Sequence, residues 1–185
     1  MLKIALDFDS VLSDTMVSWV QLFNEKRNTN LTKEDVVSWT FWNDFGISID
    51  EAFNIFEKAW SDWKNLPSTE DNIVDGVKKL ANISYVDIVT DVRESHLQYI
   101  KMWLNDKGII YENFVTSNGS KTNLDYDVFI DDSPSIAQKA SQIGKICLLY
   151  DQPWNRKVTG KKITRIKNLN DAYEFIKKIN QISVT

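Results

Sequence analysis

Two acidic residues near the start of the sequence are spaced so that both side chains can lie in one crevice. Asp7 and Asp9 directly follow the short apolar run Ile4–Leu6. Because residues two apart in an extended chain face the same side, both carboxylates can point the same way. One can then attack an electrophile while the other exchanges protons. The backbone amides of the turn that begins at Ser10 can hold an anion. The alternative interpretation is an ordinary acidic turn.

A second acidic pair, Asp131 and Asp132, follows the apolar run Val128–Ile130. Adjacent carboxylates at the end of a buried strand repel each other, so they need a cation or a shared proton. Mg²⁺ is the natural partner for such oxygen ligands. The same segment also suits a helix start, with Asp132 or Ser133 as the N-cap before Pro134. The two interpretations are compatible.

Two further polar residues are candidates for binding a phosphate. Thr90 follows the apolar run Val86–Val89, and its hydroxyl can bond a phosphate oxygen; a capping role is the alternative. Lys121 stands in a loop rich in Gly and Ser, where its ammonium can neutralise a phosphate oxygen. A solvated surface lysine is the alternative there.

The elements that must position these residues are short strands that alternate with helices. Four apolar runs predict buried parallel strands, and the apolar spacing between and after them predicts amphipathic helices. This alternation predicts an α/β fold with a doubly wound parallel sheet, whose ligands bind beyond the C-terminal ends of the strands. The predicted strands are Ile4–Leu6, Val86–Val89, Val128–Ile130 and Ile146–Tyr150.

Residues 16–66 interrupt the alternation, because they contain no convincing strand but hold five of the seven Trp residues. We predict a small α-helical cap over residues 16–66, inserted after the first strand of a core that comprises residues 1–15 and 67–185. Phe53, Phe56, Trp60 and Trp63 recur at the spacing of one helix face. The aromatic rings either form the cap's own core or line a substrate pocket. The candidates for the pocket are Trp39, Phe41, Trp42, Phe45 and Trp63.

Composition excludes several classes of function. The 185 residues carry a net charge of −4 with one His and one Cys. These numbers argue against a basic nucleic-acid binder, a disulfide framework, a Cys/His zinc site and a His-dependent catalytic triad. No run of about 20 apolar residues is present, so we expect no membrane span. We expect a soluble cytoplasmic protein that binds neither a nucleic-acid polymer nor a membrane; its oligomeric state is left open.

The candidate catalytic, metal-binding and phosphate-binding residues resemble, in their order along the chain, the motifs of the haloacid dehalogenase (HAD) superfamily. Asp7 and Asp9 match its first motif, Thr90 its second, Lys121 its third, and Asp131-Asp132 its fourth. The match runs from Lys3 to Ile136, with the predicted cap at the superfamily's first insertion site. The resemblance implies a HAD Rossmann-like core.

A closer resemblance is to the 5'(3')-deoxyribonucleotidases and their bacterial and phage relatives. It rests on the segments around Asp7, Thr90 and Asp131, and on the late segment Asp151-Gln152-Pro153-Trp154-Asn155. Two residues depart from that family's pattern. Ser10 stands where the family commonly has Gly, and Asp91 stands where it has a small residue.

The resemblance implies a Mg²⁺-dependent phosphomonoester hydrolase that acts on a small molecule, most simply a nucleoside monophosphate. Asp7 is then the nucleophile that forms an aspartyl-phosphate, and Asp9 is the acid and base. Mg²⁺ is held by Asp7, the backbone carbonyl of Asp9, Asp132, and Asp131 through water. Thr90, Lys121 and the backbone near Ser10 and Asp91 bind the phosphate. The alternatives are a phosphatase for another phosphoester, such as a sugar phosphate, and a non-catalytic HAD-like binding domain.

Overall fold

A computed structural model describes residues 1–119 and 121–182. The strands are β1 (Lys3–Leu6), β2 (Tyr85–Thr90), β3 (Phe114–Thr116), β4 (Val128–Asp131), β5 (Ile146–Tyr150) and β6 (Ile163–Ile166). They form a parallel sheet of six strands within those residues, in the order β3-β2-β1-β4-β5-β6. The predicted α/β fold with a doubly wound parallel sheet is confirmed.

The helices lie between the strands and after the last one. They are α1 (Thr15–Arg27), α2 (Phe41–Asp44), α3 (Ile49–Ser61), α4 (Ile73–Ala81), α5 (Leu97–Lys107), α6 (Pro134–Gln142) and α7 (Leu169–Ile182). Local sequence explains several of their starts. Ser48 caps α3 by accepting from Glu51 N over 3.1 Å, and Ser133 caps α6, which begins at Pro134.

The sheet is buried on both faces, which explains why its inner strands are continuous apolar runs. Ile4 and Leu6 of β1, and Val128 and Ile130 of β4, are fully buried. Helices α4 and α7 pack together beside them, and Gly76 of α4 allows this approach, because a Cβ there would lie 2.7 Å from Leu169 Cβ.

Of the four helices between β1 and β2, the first three, α1 to α3, build the cap predicted after the first strand. Trp19 is fully buried at the centre of the cap's aromatic cluster. Its ring stacks on Phe23 at 5.1 Å and meets the edge of Phe41 at 4.8 Å. Its indole N–H donates to Ala52 O over 2.9 Å, which joins α1 to α3.

The two segments that connect the cap to the sheet run side by side. Asp14 N donates to Pro67 O over 2.7 Å, and Thr69 N donates to Leu12 O over 3.0 Å. Lys33, from the cap, forms an ion pair with Asp14 at 2.8 Å. The cap is therefore attached through a paired, hydrogen-bonded stem that leads directly into Asp7 and Asp9.

Candidate active site

Three strand ends carry the polar residues that were singled out from the sequence. Strand β1 lies between β2 and β4, so the residues that follow these strands are neighbours. Asp7 directly follows β1, Thr90 ends β2 and Asp131 ends β4. This is the carboxyl edge of the sheet at the position where the strand order reverses, the usual ligand site of such folds.

Carboxylates from two of these ends form one cluster. Carboxylate oxygens of Asp7, Asp131 and Asp132 lie within 4.8 Å of one another. Lys121 lies among them, with Nζ 2.9 Å from Asp7 Oδ1 and 2.7 Å from Asp131 Oδ2. The Lys121 side chain is only 4% exposed, so the alternative of a solvated surface lysine is not what the structure describes.

The charges in this cluster are shifted by burial and by one another. Burial raises the pKa of Asp7 to about 8, while the attraction of Lys121 opposes the rise and repulsion from Asp131 adds to it. Burial and then repulsion from Asp131 hold the pKa of Asp132 well above its usual range. Burial alone would lower the pKa of Lys121, but the attraction of Asp131 and Asp7 outweighs it, so that pKa is raised.

Asp9 lies beside this cluster, held by hydrogen bonds of its own. Its Oδ1 accepts from Thr15 Oγ1 over 2.6 Å and from Trp60 Nε1, on cap helix α3, over 2.8 Å. Burial raises the pKa of Asp9, against the effect of these two donors. The sequence analysis did not single out Thr15, and it gave Trp60 only a place on an aromatic helix face.

The turn after Asp9 is tight and fixed from two sides. Ser10 has a left-handed φ of 59°. Its N–H donates to Ser13 O over 2.7 Å, and its carbonyl accepts from Gln152 Nε2 over 2.6 Å. The predicted anion-binding amide of Ser10 is therefore used inside the turn, which leaves the Ser10 hydroxyl on the cavity wall.

Thr90 and Asp91 both line the same cavity, and each also supports a loop. Thr90 Oγ1 accepts from Val92 N over 3.2 Å, a bond within the loop that follows β2. Asp91 Oδ1 accepts from Gly119 N over 2.7 Å and from the Ser117 hydroxyl. The Asp91 side chain thus holds the loop that leads to Lys121.

On the other side of the cluster, the segment after β5 holds Asp132. Trp154 Nε1 donates to Asp132 Oδ2 over 2.9 Å, and Asn155 Nδ2 donates to Asp132 O over 2.9 Å. Asn155 is fully buried and Trp154 is 8% exposed. The sequence indicated this segment as part of a resemblance, and neither contact to Asp132 was predicted from it.

A cavity of about 420 Å³ opens between the strand ends and the cap. Its floor is the carboxylate cluster with Lys121, and its upper wall is largely aromatic. Three of the five predicted pocket residues line it, namely Trp39, Phe41 and Trp42. The face of α3 that the sequence analysis noted contributes three more rings. These are Phe53, Phe56 and Trp60.

The other two predicted pocket residues are not brought to this cavity. Phe45 packs inside the cap cluster, 5.5 Å from the Phe23 ring and 6.2 Å from the Trp19 ring. Trp63 lies beyond the end of α3, where the chain turns into a short 3₁₀ helix and the periodicity of the helix face is lost. Trp63 is partly buried and packs against the core cluster that includes residues of the sheet.

The family follows from comparison with known proteins. The model for the family described as 5' nucleotidase, deoxy (pyrimidine), cytosolic type C protein (NT5C) matches residues 1–182. The chain belongs to this family. A nucleotidase of Clostridium acetobutylicum is 24% identical over 184 residues, which cover 96% of this chain and 95% of that protein. As a member of the type C nucleotidase family, the chain is a phosphomonoester hydrolase.

Solved structures agree with the fold of this type C nucleotidase. A haloacid dehalogenase-like protein of unknown function from Agrobacterium tumefaciens superposes with a TM-score of 0.68 at 11% identity, covering 96% of this chain and 98% of that one. A HAD-hydrolase from Bacillus subtilis, described as bound to magnesium, superposes with a TM-score of 0.58 at 16% identity, covering 95% and 98%. The predicted HAD Rossmann-like fold is thereby confirmed.

The two departures from the family pattern have structural correlates in this type C nucleotidase. Ser10 adopts a left-handed φ, which explains why glycine suits the position. Asp91 replaces a small residue, and its carboxylate holds the Lys121 loop. Within residues 1–119 and 121–182, no helix has the length and apolar character that crossing a membrane requires.

Proposed function

We propose that this nucleotidase hydrolyses (deoxy)nucleoside monophosphates with Mg²⁺, through an aspartyl-phosphate formed on Asp7. The catalytic core comprises residues 1–15 and 67–185, and the cap comprises residues 16–66; residues 183–185 of that core lie outside the described residues. The family description and the single buried Cys147 support a cytoplasmic location. The observation that carries the proposal is the carboxylate cluster with Lys121 on the floor of an aromatic cavity.

The cluster fits a divalent cation. Asp7, Asp131 and Asp132 bring three carboxylates into one buried group that holds one ammonium, from Lys121. Two negative charges remain when all these groups are ionised, and burial together with repulsion from Asp131 raises the pKa values of Asp7 and Asp132. Hard oxygen ligands of this kind suit Mg²⁺. When bound, Mg²⁺ neutralises these carboxylates and the phosphate oxygens.

The residues that would hold Mg²⁺ are the Asp7 and Asp132 carboxylates, the backbone carbonyl of Asp9, and Asp131 through a water molecule. The Asp9 carboxylate is engaged with Thr15 and Trp60, which is consistent with a metal role for its carbonyl alone. Asp131 already accepts from Lys121 and from Ser133 N, at 2.7 and 2.9 Å, which favours an indirect role.

Hydrolysis then takes two steps. The Asp7 carboxylate attacks phosphorus, and the bond from phosphorus to the alcohol oxygen breaks while Asp9 gives that oxygen a proton. A water molecule next attacks the phosphorus of the aspartyl-phosphate and gives a proton to Asp9. The bond from phosphorus to the Asp7 oxygen breaks, inorganic phosphate leaves, and Asp7 and Asp9 return to their starting forms.

Phosphate binding falls to residues that line the same cavity floor. Lys121 supplies the positive charge, and a phosphate dianion needs it because each unit repulsion at about 4 Å costs about 4 kcal/mol at an effective dielectric near 20. Thr90 and Ser10 contribute hydroxyls, and the backbone N–H of Asp91 is a further donor. These donors would orient the equatorial oxygens of the reacting phosphate.

The cap supports a nucleobase as the other end of the substrate. Flat rings from α2 and α3 line the upper cavity, and stacking on such rings is worth about 1–3 kcal/mol per base. A cap over the strand ends also keeps bulk water from the reacting phosphate. Trp39, Phe41 and Trp42 remain the candidates from the sequence for this contact.

A phosphate-release panel tests the proposal. Purified protein is assayed with deoxyribonucleoside monophosphates, ribonucleoside monophosphates and sugar phosphates, each with Mg²⁺ and with EDTA. We expect the highest kcat/KM for a nucleoside monophosphate, and loss of release in EDTA that added Mg²⁺ restores. A higher kcat/KM for sugar phosphates would support the alternative substrate class, and activity that persists in EDTA would contradict the metal assignment.

A further inference from the structure

We propose that Trp60 is a positioning residue that fixes Asp9 through its indole N–H, so that Asp9 Oδ2 is the atom that exchanges protons with the substrate. The inference rests on the role of Asp9 in the proposed function. It adds a residue of the cap to the proton-transfer machinery, and it identifies which carboxylate oxygen performs the transfer.

The hydrogen bonds to Asp9 converge on one oxygen. Trp60 Nε1 and Thr15 Oγ1 donate to Oδ1 over 2.8 and 2.6 Å. The Thr15 hydroxyl has one hydrogen, so when it donates to Asp9, the Ser13 hydroxyl donates to Thr15 over their 2.7 Å contact. Ser13 and Thr15 are both fully buried, so this short relay is held in one arrangement.

This arrangement gives the two carboxylate oxygens of Asp9 different roles. A protonated carboxyl has one O–H donor, and that oxygen is a poor acceptor for two further donors. Because Oδ1 accepts from Trp60 and Thr15, the proton of the acid form resides on Oδ2. In the first step this proton goes from Oδ2 to the leaving alcohol oxygen. In the second step Oδ2 takes a proton from the attacking water.

Trp60 is itself held firmly enough to act in this way. It is 5% exposed, and its ring stacks on Phe56 at 5.6 Å with an interplanar angle of 19°. It packs in the core cluster that contains strand residues such as Leu6, whereas Ala52 and Ile55 of the same helix pack in the cap cluster. The indole therefore ties α3 of the cap to the acid and base of the core, and Asp9 is correctly held only while α3 lies over the strand ends.

The test compares substrates that differ in their need for an acid. An alkyl phosphate releases an alkoxide and needs a proton, whereas 4-nitrophenyl phosphate releases a stable phenolate and does not. Trp60→Phe removes the N–H donor and keeps an aromatic ring. We expect kcat/KM for a deoxyribonucleoside monophosphate to fall by about 100-fold, with a much smaller fall for 4-nitrophenyl phosphate.

Trp19→Phe is the matched control. Trp19 is also a buried cap tryptophan with one indole hydrogen bond, of 2.9 Å to Ala52 O, but it does not line the cavity. We expect it to change kcat/KM for both substrates by the same factor. If Trp60→Phe does not fold, Thr15→Val removes the other donor to Oδ1 and is expected to give the same selective loss.

Asp9→Asn separates this inference from the proposed function. Selective loss on the alkyl phosphate in both Asp9→Asn and Trp60→Phe supports the inference. Equal losses on both substrates in Trp60→Phe, or no loss, would overturn it while the selective loss in Asp9→Asn still stands. Full alkyl phosphatase activity in Asp9→Asn would instead contradict the proposed role of Asp9.

Discussion

The Trp154 indole N–H donates to Asp132 Oδ2 over 2.9 Å and joins the segment after β5 to the carboxylate cluster. Partners of metal ligands orient those ligands, and their removal typically lowers metal affinity by about 10- to 100-fold. We therefore expect Trp154→Phe to weaken Mg²⁺ binding by about tenfold or more. Titration calorimetry with MgCl₂ measures this directly.

Trp19→Phe is again the control for that experiment, because Trp19 packs in the same aromatic cluster as Trp154 and donates only to Ala52 O. Its Mg²⁺ affinity should equal that of the wild type. Equal affinities of Trp154→Phe and wild type would show that the Asp132 contact does not orient a metal ligand.

The raised pKa of Asp7 predicts how pH acts on the metal-free protein. An Asp carboxyl in the unfolded chain ionises near pH 4, whereas burial raises the pKa of Asp7 in the folded chain to about 8. Between these values the folded chain keeps a proton that the unfolded chain has lost. The free energy of unfolding of the metal-free protein therefore falls as the pH rises through this window.

Mg²⁺ requires ionised ligands, and the proton on Asp7 competes with it less as the pH rises. We expect a fixed Mg²⁺ concentration to raise the melting temperature more near pH 8 than near pH 6. Thermal unfolding in EDTA and in Mg²⁺ at both pH values measures this. An equal rise at both would contradict the coupling.

The fold was largely predictable, because its inner strands are buried on both faces. The apolar runs that became β1, β2, β4 and β5 all end within a residue of the predicted positions. The sequence patterns missed β3 and β6. Both are edge strands: β3 has three residues, all half-buried, and β6 is no apolar run, because Thr and Arg stand between its two Ile residues.

The site residues that follow strand ends could be predicted from the sequence. The contacts that indole groups make to those residues could not. Asp7, Asp131 and Asp132 converge because parallel strands end at one edge, and Lys121 joins them from the segment after β3. The indole N–H contacts of Trp60 and Trp154 join residues 51 and 22 positions apart, and no local pattern encodes such contacts. The helix face Phe53-Phe56-Trp60 was a usable signal, since it is the face that lines the cavity.

Two aromatic residues three positions apart allow the effect of substrate contact to be distinguished from the effect of packing. Trp42 lines the cavity, whereas Phe45 packs against Trp19 and Phe23. Trp42→Ala should raise the KM for a nucleoside monophosphate by about tenfold, because it removes a stacking surface. Phe45→Ala should leave KM unchanged and lower the free energy of unfolding by about 2 kcal/mol.

Steady-state kinetics and urea unfolding of both variants measure these effects. A KM increase of the same size in both variants would contradict the assignment of Trp42 to the substrate wall.

Ser10 has a strained backbone conformation, and glycine at this position would relieve the strain. Its φ of 59° lies in the left-handed region, which costs a residue with a Cβ roughly 1–2 kcal/mol. Glycine loses more backbone entropy on folding, which offsets part of the gain. We expect Ser10→Gly to raise the free energy of unfolding by about 0.5–1 kcal/mol. Ser10→Ala keeps the strain and is the control in urea unfolding; equal stability of the two variants would contradict the strain.

The covalent role of Asp7 is the central claim, and one measurement tests it most directly. Phosphate release from a deoxyribonucleoside monophosphate in Mg²⁺ is compared between the wild type and Asp7→Asn, with circular dichroism to verify that the variant folds. An amide cannot replace the carboxylate as nucleophile, so we expect kcat/KM to fall by at least about 1,000-fold. A folded Asp7→Asn protein that retains wild-type activity would contradict the account.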